Sequence, residues 1–253
     1  MKIEKYGVGR RQDFAAAKLA ELSSDTVDRV LLLPIPTTRD GVHLSGCDIR
    51  IADVICEVGR GDVVAGYAIP EEDAEIIEAS GGVCIDLSRD EEFLAENARL
   101  TALAAVGYIL TEFPRAADEV VFGVVGYGRI GKRLVTYLTS LGIKVIVYTS
   151  KNATRVALGA CGIRTEVYER DEGIINIDPE VGVLINTAPT PLEKSFQDGV
   201  IPRGLSVIEL ASGNNFGGIS GVVRLASLPE KRYPDSALEV YYRALLRGLG
   251  IAI

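Results

Sequence analysis

The feature that most constrains the fold of this chain is a glycine-rich turn between two hydrophobic segments. An apolar run at 120–125 has the length of a buried strand, and the sequence GYGRIG follows it directly at 126–131. Residues 132–140 show helical spacing, and a second apolar run follows at 144–148. The order strand, glycine turn, helix, strand is typical of a unit that binds a dinucleotide, because the turn and the helix N-terminus receive the pyrophosphate.

Each glycine of this turn has its own physical reason. Gly126 permits the tight turn, Gly128 lets the backbone approach the pyrophosphate, and Gly131 lets the helix pack closely on the strand. The N–H groups and the positive dipole end of the helix then face the phosphates. The predicted cofactor-binding residues of the turn are Gly126, Tyr127, Gly128, Arg129, Ile130 and Gly131. The alternative is a glycine-rich turn in a doubly wound fold that binds nothing.

The end of the second strand bears on the choice of cofactor. NAD-binding sites usually place an acidic residue there to accept hydrogen bonds from the ribose 2′-hydroxyl, but no acid occurs from 120 to 165. A lysine attracts a 2′-phosphate, whereas a carboxylate repels it. We therefore predict NADP(H), with NAD(H) less favoured. The predicted contacts are Thr149, Ser150, Lys151 and Arg155. The alternative is that the two cations are solvated surface charges.

Two later strands end in polar, turn-forming residues. The apolar run at 183–185 leads into Asn186, Thr187 and Ala188, which we predict to contact the ribose and nicotinamide end of the cofactor. The run at 206–210 opens into Ser212 and a loop rich in glycine and asparagine. Ligands bind at the carboxyl ends of strands in such sheets. Ordinary turn chemistry is the alternative for each segment.

The rest of the chain alternates helical and strand-like segments, which predicts parallel sheets covered by helices. Residues 53–58 fit a strand or a helix equally well. The other predicted helices are 13–22, 70–80, 91–113, 152–161 and 236–249. The other predicted strands are 27–36, 63–69, 83–87, 164–167, 182–186, 206–210 and 222–225.

Composition and charge exclude several classes of function. The formal net charge of −8 and the pI of about 4.9 disfavour binding to nucleic acid or to an anionic membrane surface. The chain has no uninterrupted apolar run of about 18 residues suited to a membrane span. Its charged N-terminus lacks a signal-length apolar stretch, so we expect a cytoplasmic protein. The four cysteines form no CxxC pair and the chain has one histidine, so no metal site is predicted.

Taken in order, these motifs resemble the dipicolinate synthase A family, and the resemblance spans most of the chain. The residues that carry it are Leu33-Pro34, Thr37-Thr38, Gly41, Asn97, Thr101, the GYGRIG turn, INTAP at 185–189, ELAS at 209–212, Gly217-Gly218, LPEK at 228–231 and YPDSA at 233–237. More remotely, the chain is similar to the cofactor domains of D-2-hydroxyacid dehydrogenases and adenosylhomocysteinase.

The resemblance implies a fold, a domain organisation and partners. It implies an α/β protein with a Rossmann doubly wound parallel sheet and a smaller flavodoxin-like N-terminal α/β domain. The implied segments are an N-terminal domain at 1–92, a linking helix at 93–114, a Rossmann NADP-binding domain at 115–232, and a C-terminal helix at 233–253 that closes against the N-terminal domain. The implied partners are a small-molecule substrate, further copies of the chain in homo-oligomers, and a flavoprotein second subunit.

The chain departs from the family pattern at several positions. Leu103 and Ala104 stand where a glutamate and a glycine are usual, and Ser150 replaces an arginine. Glu209 takes the place of a shorter aspartate. Residues 234–236 replace a proline–lysine–threonine pattern, so a positive charge is lost. The cofactor site transfers from the family, whereas the exact substrate does not.

The leading hypothesis is an NADP-dependent oxidoreductase that acts on a cyclic dihydrodipicolinate-type precursor between the two domains. Arg39 can pair with a substrate carboxylate in a bidentate manner. No acid–base residue is predicted, because His43 is interpreted as a loop histidine of the N-terminal domain. A non-catalytic NADP(H)-binding partner or regulatory subunit, and an interaction protein without a nucleotide, stay open. The predicted substrate-binding residues are Thr37, Thr38, Arg39, Asn97, Ser212 and Lys231.

Overall fold

The computed structural model describes residues 1–7, 9–22 and 27–251. The chain forms two compact units. The smaller unit comprises Met1–Asn97 and Pro234–Ile253, and the larger unit comprises Ala98–Tyr233. One long helix, α4 (Glu91–Glu112), contains the division between them.

The smaller unit is built around a four-stranded parallel sheet. Its elements in chain order are β1 (Lys2–Lys5), α1 (Arg10–Ala20), β2 (Arg29–Leu32), α2 (Ile51–Ile55), β3 (Asp62–Gly66), α3 (Glu71–Ala79), β4 (Val83–Asp86), the start of α4, and α8 (Pro234–Gly248). The strands lie in the order β1-β2-β3-β4. Apolar clusters cover both faces of the sheet: α1 and α8 contribute to one, and α2 and α3 to the other.

Two segments of this unit were left open or not predicted from the sequence. The ambiguous segment at 53–58 belongs in part to α2, because Ile51, Val54 and Ile55 have helical spacing and are all buried. Strand β1 was not predicted, since its sequence alternates charged and apolar residues over only four positions at the sheet edge. It pairs in parallel with β2 alone.

The larger unit has a seven-stranded sheet. Its elements are β5 (Val121–Val125), α5 (Arg129–Ser140), β6 (Val145–Thr149), α6 (Asn152–Ala160), β7 (Arg164–Glu169), β8 (Ile174–Ile175), β9 (Val181–Asn186), β10 (Ser206–Glu209), β11 (Val222–Arg224) and α7 (Leu228–Arg232). The strand order is β11-β10-β9-β5-β6-β7-β8. All neighbours pair in parallel except β7 and β8, which pair antiparallel.

This strand order is that of a doubly wound dinucleotide-binding fold with one additional edge strand. The chain runs outward from β5 to β7 on one side and resumes at β9 on the other side of β5. The direction of winding therefore reverses between β5 and β9, where Val125 and Asn186 are register partners at the strand ends. Such a reversal leaves a crevice at the carboxyl ends of the strands. The predicted fold class is confirmed.

Helix α4 is, in the described part of the chain, the one helix that is long and apolar enough to cross a membrane. Half of its most apolar window is buried in the protein, at 50%. Its residues Ala102, Ala105 and Ile109 belong to the hydrophobic core of the larger unit. This burial is typical of a core helix, whose apolar composition is explained by packing.

Candidate functional site

The glycine turn directly follows β5 and is tightly packed on its inner side. Gly126 has a φ of +88°, a conformation that favours glycine. A Cβ at this position would lie 3.0 Å from Thr187 Oγ1 and 3.2 Å from Ala188 Cβ. At Gly131, in the first turn of α5, a Cβ would lie 2.3 Å from the Gly126 carbonyl oxygen. A side chain at Gly131 would therefore require the backbone to shift, and one at Gly126 would combine an unfavourable φ with close contacts to Thr187 and Ala188.

Gly128 differs from its two neighbours because its surroundings are open. Its φ of −85° is accessible to any residue, and no described atom beyond Gly128 and its two chain neighbours lies within 4 Å of where its Cβ would be. The helix starts at the next residue, and its first intrahelical bond runs from Lys132 N to Gly128 O over 2.9 Å. The first N–H groups of a helix have no partner within the helix, and they carry its positive dipole end. This open space above the turn can therefore receive an anion.

A second turn, at the end of β9, supports the glycine turn. The Thr187 hydroxyl donates to Val125 O over 2.8 Å, and the Thr187 N–H donates to the same oxygen over 2.9 Å. The Asn186 amide closes this turn on itself: Nδ2 donates to Ala188 O over 2.9 Å, and Oδ1 accepts from Ala188 N over 3.0 Å. The two turns thus form one hydrogen-bonded assembly at the point where the strand order reverses.

A buried carboxyl lies at the end of the next strand, β10. Glu209 is 3% exposed, and its Oε1 accepts from Asn186 Nδ2 and from Ala211 N, each over 3.0 Å. Its Oε2 is buried and has no hydrogen-bond partner among the described residues. Burial raises the pKa of Glu209 to about 7, although Asn215, Ala211, Asn186 and the charge of Arg224 each act to lower it.

Glu209 was not among the site residues that the sequence predicted. The sequence marked it only as a departure from the family pattern, in which a shorter aspartate is usual. The one feature of the sequence that could have indicated this residue is a charged side chain at the end of the short strand SVIE. The burial and the unpaired oxygen were visible only in the structure.

The predicted ribose end has mixed charge. Thr149 is buried and its hydroxyl accepts from Lys151 N over 3.3 Å, while Ser150 and Lys151 are exposed. Arg155 donates from Nη2 to Asn152 Oδ1 over 2.9 Å. The turn between β7 and β8 brings acids to this place, since Ser150 lines a cavity of about 520 Å³ with Tyr168, Glu169, Arg170, Asp171 and Glu172. These acids follow position 165, so the local sequence did not show them.

The other turn residues occupy two environments. Tyr127 and Ile130 are half-buried and pack against the core of the larger unit, and Lys132 Nζ lies 5.9 Å from the centre of the Tyr127 ring. Arg129 is exposed at the first position of α5. Side chains on one side of the turn thus anchor the helix, while the helix N-terminus remains at the surface.

The predicted substrate residues of the smaller unit are not equally accessible. Thr37 is fully buried, and its hydroxyl accepts from Tyr67 N over 2.9 Å. The Thr38 hydroxyl accepts from Gly41 N over 2.9 Å, and Arg39 is exposed. Asn97 Oδ1 accepts from the buried Arg11 over 3.2 Å.

The remaining predicted substrate residues belong to the larger unit. Ser212 is exposed, and its carbonyl oxygen accepts from Asn215 Nδ2 over 3.1 Å. Lys231 is exposed on α7. The substrate and cofactor roles assigned to all these residues stay predictions.

His43 lies in the loop after β2, where its Nδ1 is 2.8 Å from Asp40 Oδ2. The His43 side chain and its N–H donate to Asp40 and hold the pKa of that carboxyl well below its usual range. Arg39 and His43 line a cavity of about 530 Å³ in this loop. No group of three or more histidine, cysteine or acidic side chains that could hold a metal ion is found among the described residues.

Comparison with known proteins supports the fold alone. No protein-family model and no curated protein matches the sequence. Among solved structures, dipicolinate synthase A from Bacillus halodurans has a TM-score of 0.74 at 17% identity, covering 99% of this chain and 98% of that chain.

Two further solved structures are similar along nearly their whole length. The dipicolinate synthase A chain from Bacillus subtilis has a TM-score of 0.72 at 17% identity, covering 99% and 96% of the two chains. A transhydrogenase from Sinorhizobium meliloti has a TM-score of 0.55 at 17% identity, covering 98% and 93%. The chain therefore has the fold of dipicolinate synthase A, as the order of its sequence motifs predicted.

Proposed function

We propose that this protein binds NADP(H) at the carboxyl end of the larger sheet and acts as an NADP-dependent oxidoreductase resembling dipicolinate synthase A. The observation that supports binding most strongly is the glycine turn. Gly126 and Gly131 are closely packed, whereas the space at Gly128 is open beside a helix N-terminus. The support comes from the combination of two closely packed glycines with an open position at the N-terminus of a helix, which is what a bound pyrophosphate requires.

The residues present fit a dinucleotide. The N-terminal amides of α5 would hold the pyrophosphate, and the turn at 186–188 would border the nicotinamide half. Ser150, Lys151 and Arg155 would bind a 2′-phosphate. The acidic residues of the β7–β8 turn would repel that phosphate. The bound cofactor would accept a hydride at C4 of its nicotinamide. The chain itself would orient the cofactor through these contacts.

The proposed substrate is a cyclic dihydrodipicolinate-type precursor. Its oxidation to an aromatic dicarboxylate removes one hydride, which NADP⁺ takes, and one proton, which passes to a base. Arg39 and Lys231 are exposed cations suited to substrate carboxylates. This substrate class rests on the similarity to dipicolinate synthase A structures.

The test combines binding with turnover. NADPH and NADH are titrated by fluorescence, and the precursor is then added with NADP⁺ while absorbance at 340 nm is followed. We expect NADPH to bind more tightly than NADH, and absorbance to rise with the precursor. Failure of both dinucleotides to bind at millimolar concentration would show that the glycine turn is only structural.

The second candidate is a non-catalytic NADP(H)-binding partner or regulatory subunit. The loss of a positive charge at 234–236 favours it, because a dicarboxylate substrate needs cations. It predicts tight NADPH binding with no change at 340 nm. We also propose homo-oligomers and a flavoprotein second subunit, and NADPH-dependent co-purification of such a flavoprotein, seen by its visible absorbance, tests that assembly.

A further inference from the structure

Glu209 is placed in the half of the sheet that would receive the nicotinamide. Val125, Asn186 and Glu209 are register partners across β5, β9 and β10. Adjacent strands are about 4.8 Å apart, so the end of β10 lies about 10 Å from the start of the glycine turn. The fold binds the two nucleotides of a dinucleotide on its two halves. The half with β6 would take the adenosine ribose, which leaves β9 and β10 for the nicotinamide.

The surroundings of Glu209 leave its charge largely uncompensated. Asn186 from β9 and Asn215 from the following loop are neutral amides. Arg224, its register partner on β11, has a favourable charge, but its guanidinium donates to Asn214 Oδ1 and Gly217 O. The buried Oε2 has no described partner. An ionised carboxyl here therefore acts on any charge that a ligand brings nearby.

The oxidised and reduced cofactors differ in the charge of one ring. Both carry the same phosphates, but the oxidised nicotinamide ring is positive and the reduced ring is neutral. A carboxylate near this ring stabilises the first form and not the second, and low local dielectric strengthens the effect. We propose that Glu209 is a specificity-determining residue, whose ionised carboxyl biases this site towards the oxidised dinucleotide. This inference rests on the proposed binding of a nicotinamide dinucleotide.

Protonation gives the bias a pH dependence. Because the pKa of Glu209 is raised to about 7, the carboxyl is neutral in mildly acidic solution and ionised in mildly basic solution. Oε1 accepts from Asn186 and Ala211 in either state, and Oε2 is free to take the proton. The turn geometry is thus retained while the charge changes. The preference for the oxidised form increases as the pH rises through 7.

The experiment measures Kd for NADP⁺ and NADPH by calorimetry between pH 5.5 and 8.5. The proteins are the wild type, Glu209→Gln and the matched control Glu119→Gln, whose glutamate is exposed in the same unit. In the wild type, we expect the ratio of Kd(NADPH) to Kd(NADP⁺) to rise roughly tenfold across this range. In Glu209→Gln, we expect a flat ratio equal to the wild-type value at low pH. The control should follow the wild type.

The use of a ratio separates a charge effect from general damage to the site. Misplacement of Asn186 would weaken both forms together, and the titration of the cofactor's own phosphates cancels. A flat wild-type ratio overturns the inference, even if Glu209→Gln does not fold, and so does a pH-dependent ratio in a folded Glu209→Gln protein. If neither form binds the wild type at any pH, the proposed function fails first and the inference fails with it.

Discussion

The two sheets of this protein differ at the carboxyl ends of their parallel strands. In the smaller sheet, side chains of the unit itself pack against or hydrogen-bond the backbone at the ends of β3 and β4. Thr37 occupies the space at the end of β3, where a Cβ on Gly66 would lie 2.4 Å from the Thr37 hydroxyl. Asp86, at the end of β4, accepts from Ala68 N over 2.8 Å and from Ser88 N over 2.9 Å.

At the carboxyl ends of its strands, the larger sheet has open space and a hydrogen-bond acceptor without a described partner. Gly128 has no described neighbour within 4 Å of its missing side chain, and one oxygen of the buried Glu209 is unpaired. Both sheets belong to α/β structures and their strands pair mainly in parallel, so their architecture does not decide which one binds a ligand. The residues that follow each strand decide it, which agrees with the view that function lies in sites and not in folds.

The largest effect should come from a pair of glycine substitutions, one in each unit. Gly131→Ala places a Cβ 2.3 Å from Gly126 O, and Gly66→Ala places one 2.4 Å from Thr37 Oγ1. We expect each to destabilise the fold by about 1–3 kcal/mol. Only Gly131→Ala should abolish NADPH binding. Thermal melts and NADPH titrations check this, and loss of binding in Gly66→Ala would break the comparison.

The next effect concerns the open position of the turn. Gly128→Ala adds a methyl group where nothing clashes and φ is −85°, so the melting temperature should hardly change. The methyl group intrudes on the space for the pyrophosphate and should cost about 1–3 kcal/mol of NADPH affinity, or roughly 5- to 150-fold in Kd. Gly159→Ala, in α6 with similarly open surroundings, is the matched control and should bind normally. Equal affinities for the two variants would contradict a phosphate site at the turn.

A smaller effect should distinguish the two dinucleotides. Lys151→Ala removes an exposed cation at the proposed 2′-phosphate site and should weaken NADPH by about 1 kcal/mol, with little change for NADH. Lys144→Ala, at the exposed amino side of β6, is the control. The measurement is the ratio of the two Kd values. An unchanged ratio in Lys151→Ala would contradict a 2′-phosphate contact by Lys151 and would indicate that the acids lining the cavity with Ser150 outweigh its charge.

The smallest effect is on stability against pH, and its sign should differ between the two sheets. The raised pKa of Glu209, about 7, adds stability that is fully present below the unfolded value of 4.5 and is lost as pH rises through 7. Hydrogen bonding from Arg29 lowers the pKa of Asp62, so its contribution is present above 3.8 and lost at lower pH. The two contributions should therefore move the melting temperature in opposite directions as the pH rises.

Melting curves of Glu209→Gln and Asp62→Asn between pH 3 and 8.5 separate these contributions. Glu209→Gln should remove the decline in stability that occurs as the pH rises from about 4.5 to 7. Asp62→Asn should remove part of the decline in stability that occurs as the pH falls below 3.8. If Glu209→Gln removed the decline at low pH, or Asp62→Asn removed the decline between about pH 4.5 and 7, the proposed electrostatic difference between the sheets would be wrong.

The sequence predicted the larger unit well, because its signals are local. Apolar runs of strand length and glycines at fixed spacing placed β5, α5 and β6, although α5 begins at Arg129, inside the predicted turn. The charged edge strand β1 and the start of α2 escaped prediction because short segments show too little periodicity. The acids that line the cavity with Ser150 depend on the β7–β8 turn, which no local pattern shows.

The most direct test of the central claim is where NADPH perturbs the backbone. Amide ¹H–¹⁵N spectra of the assigned protein are recorded during an NADPH titration. We predict the largest shifts at Gly126, Gly128 and Gly131, with smaller shifts at Asn186 and none at Tyr67. Shifts confined to the carboxyl end of the smaller sheet, or no shifts at millimolar NADPH, would contradict a dinucleotide site at the glycine turn.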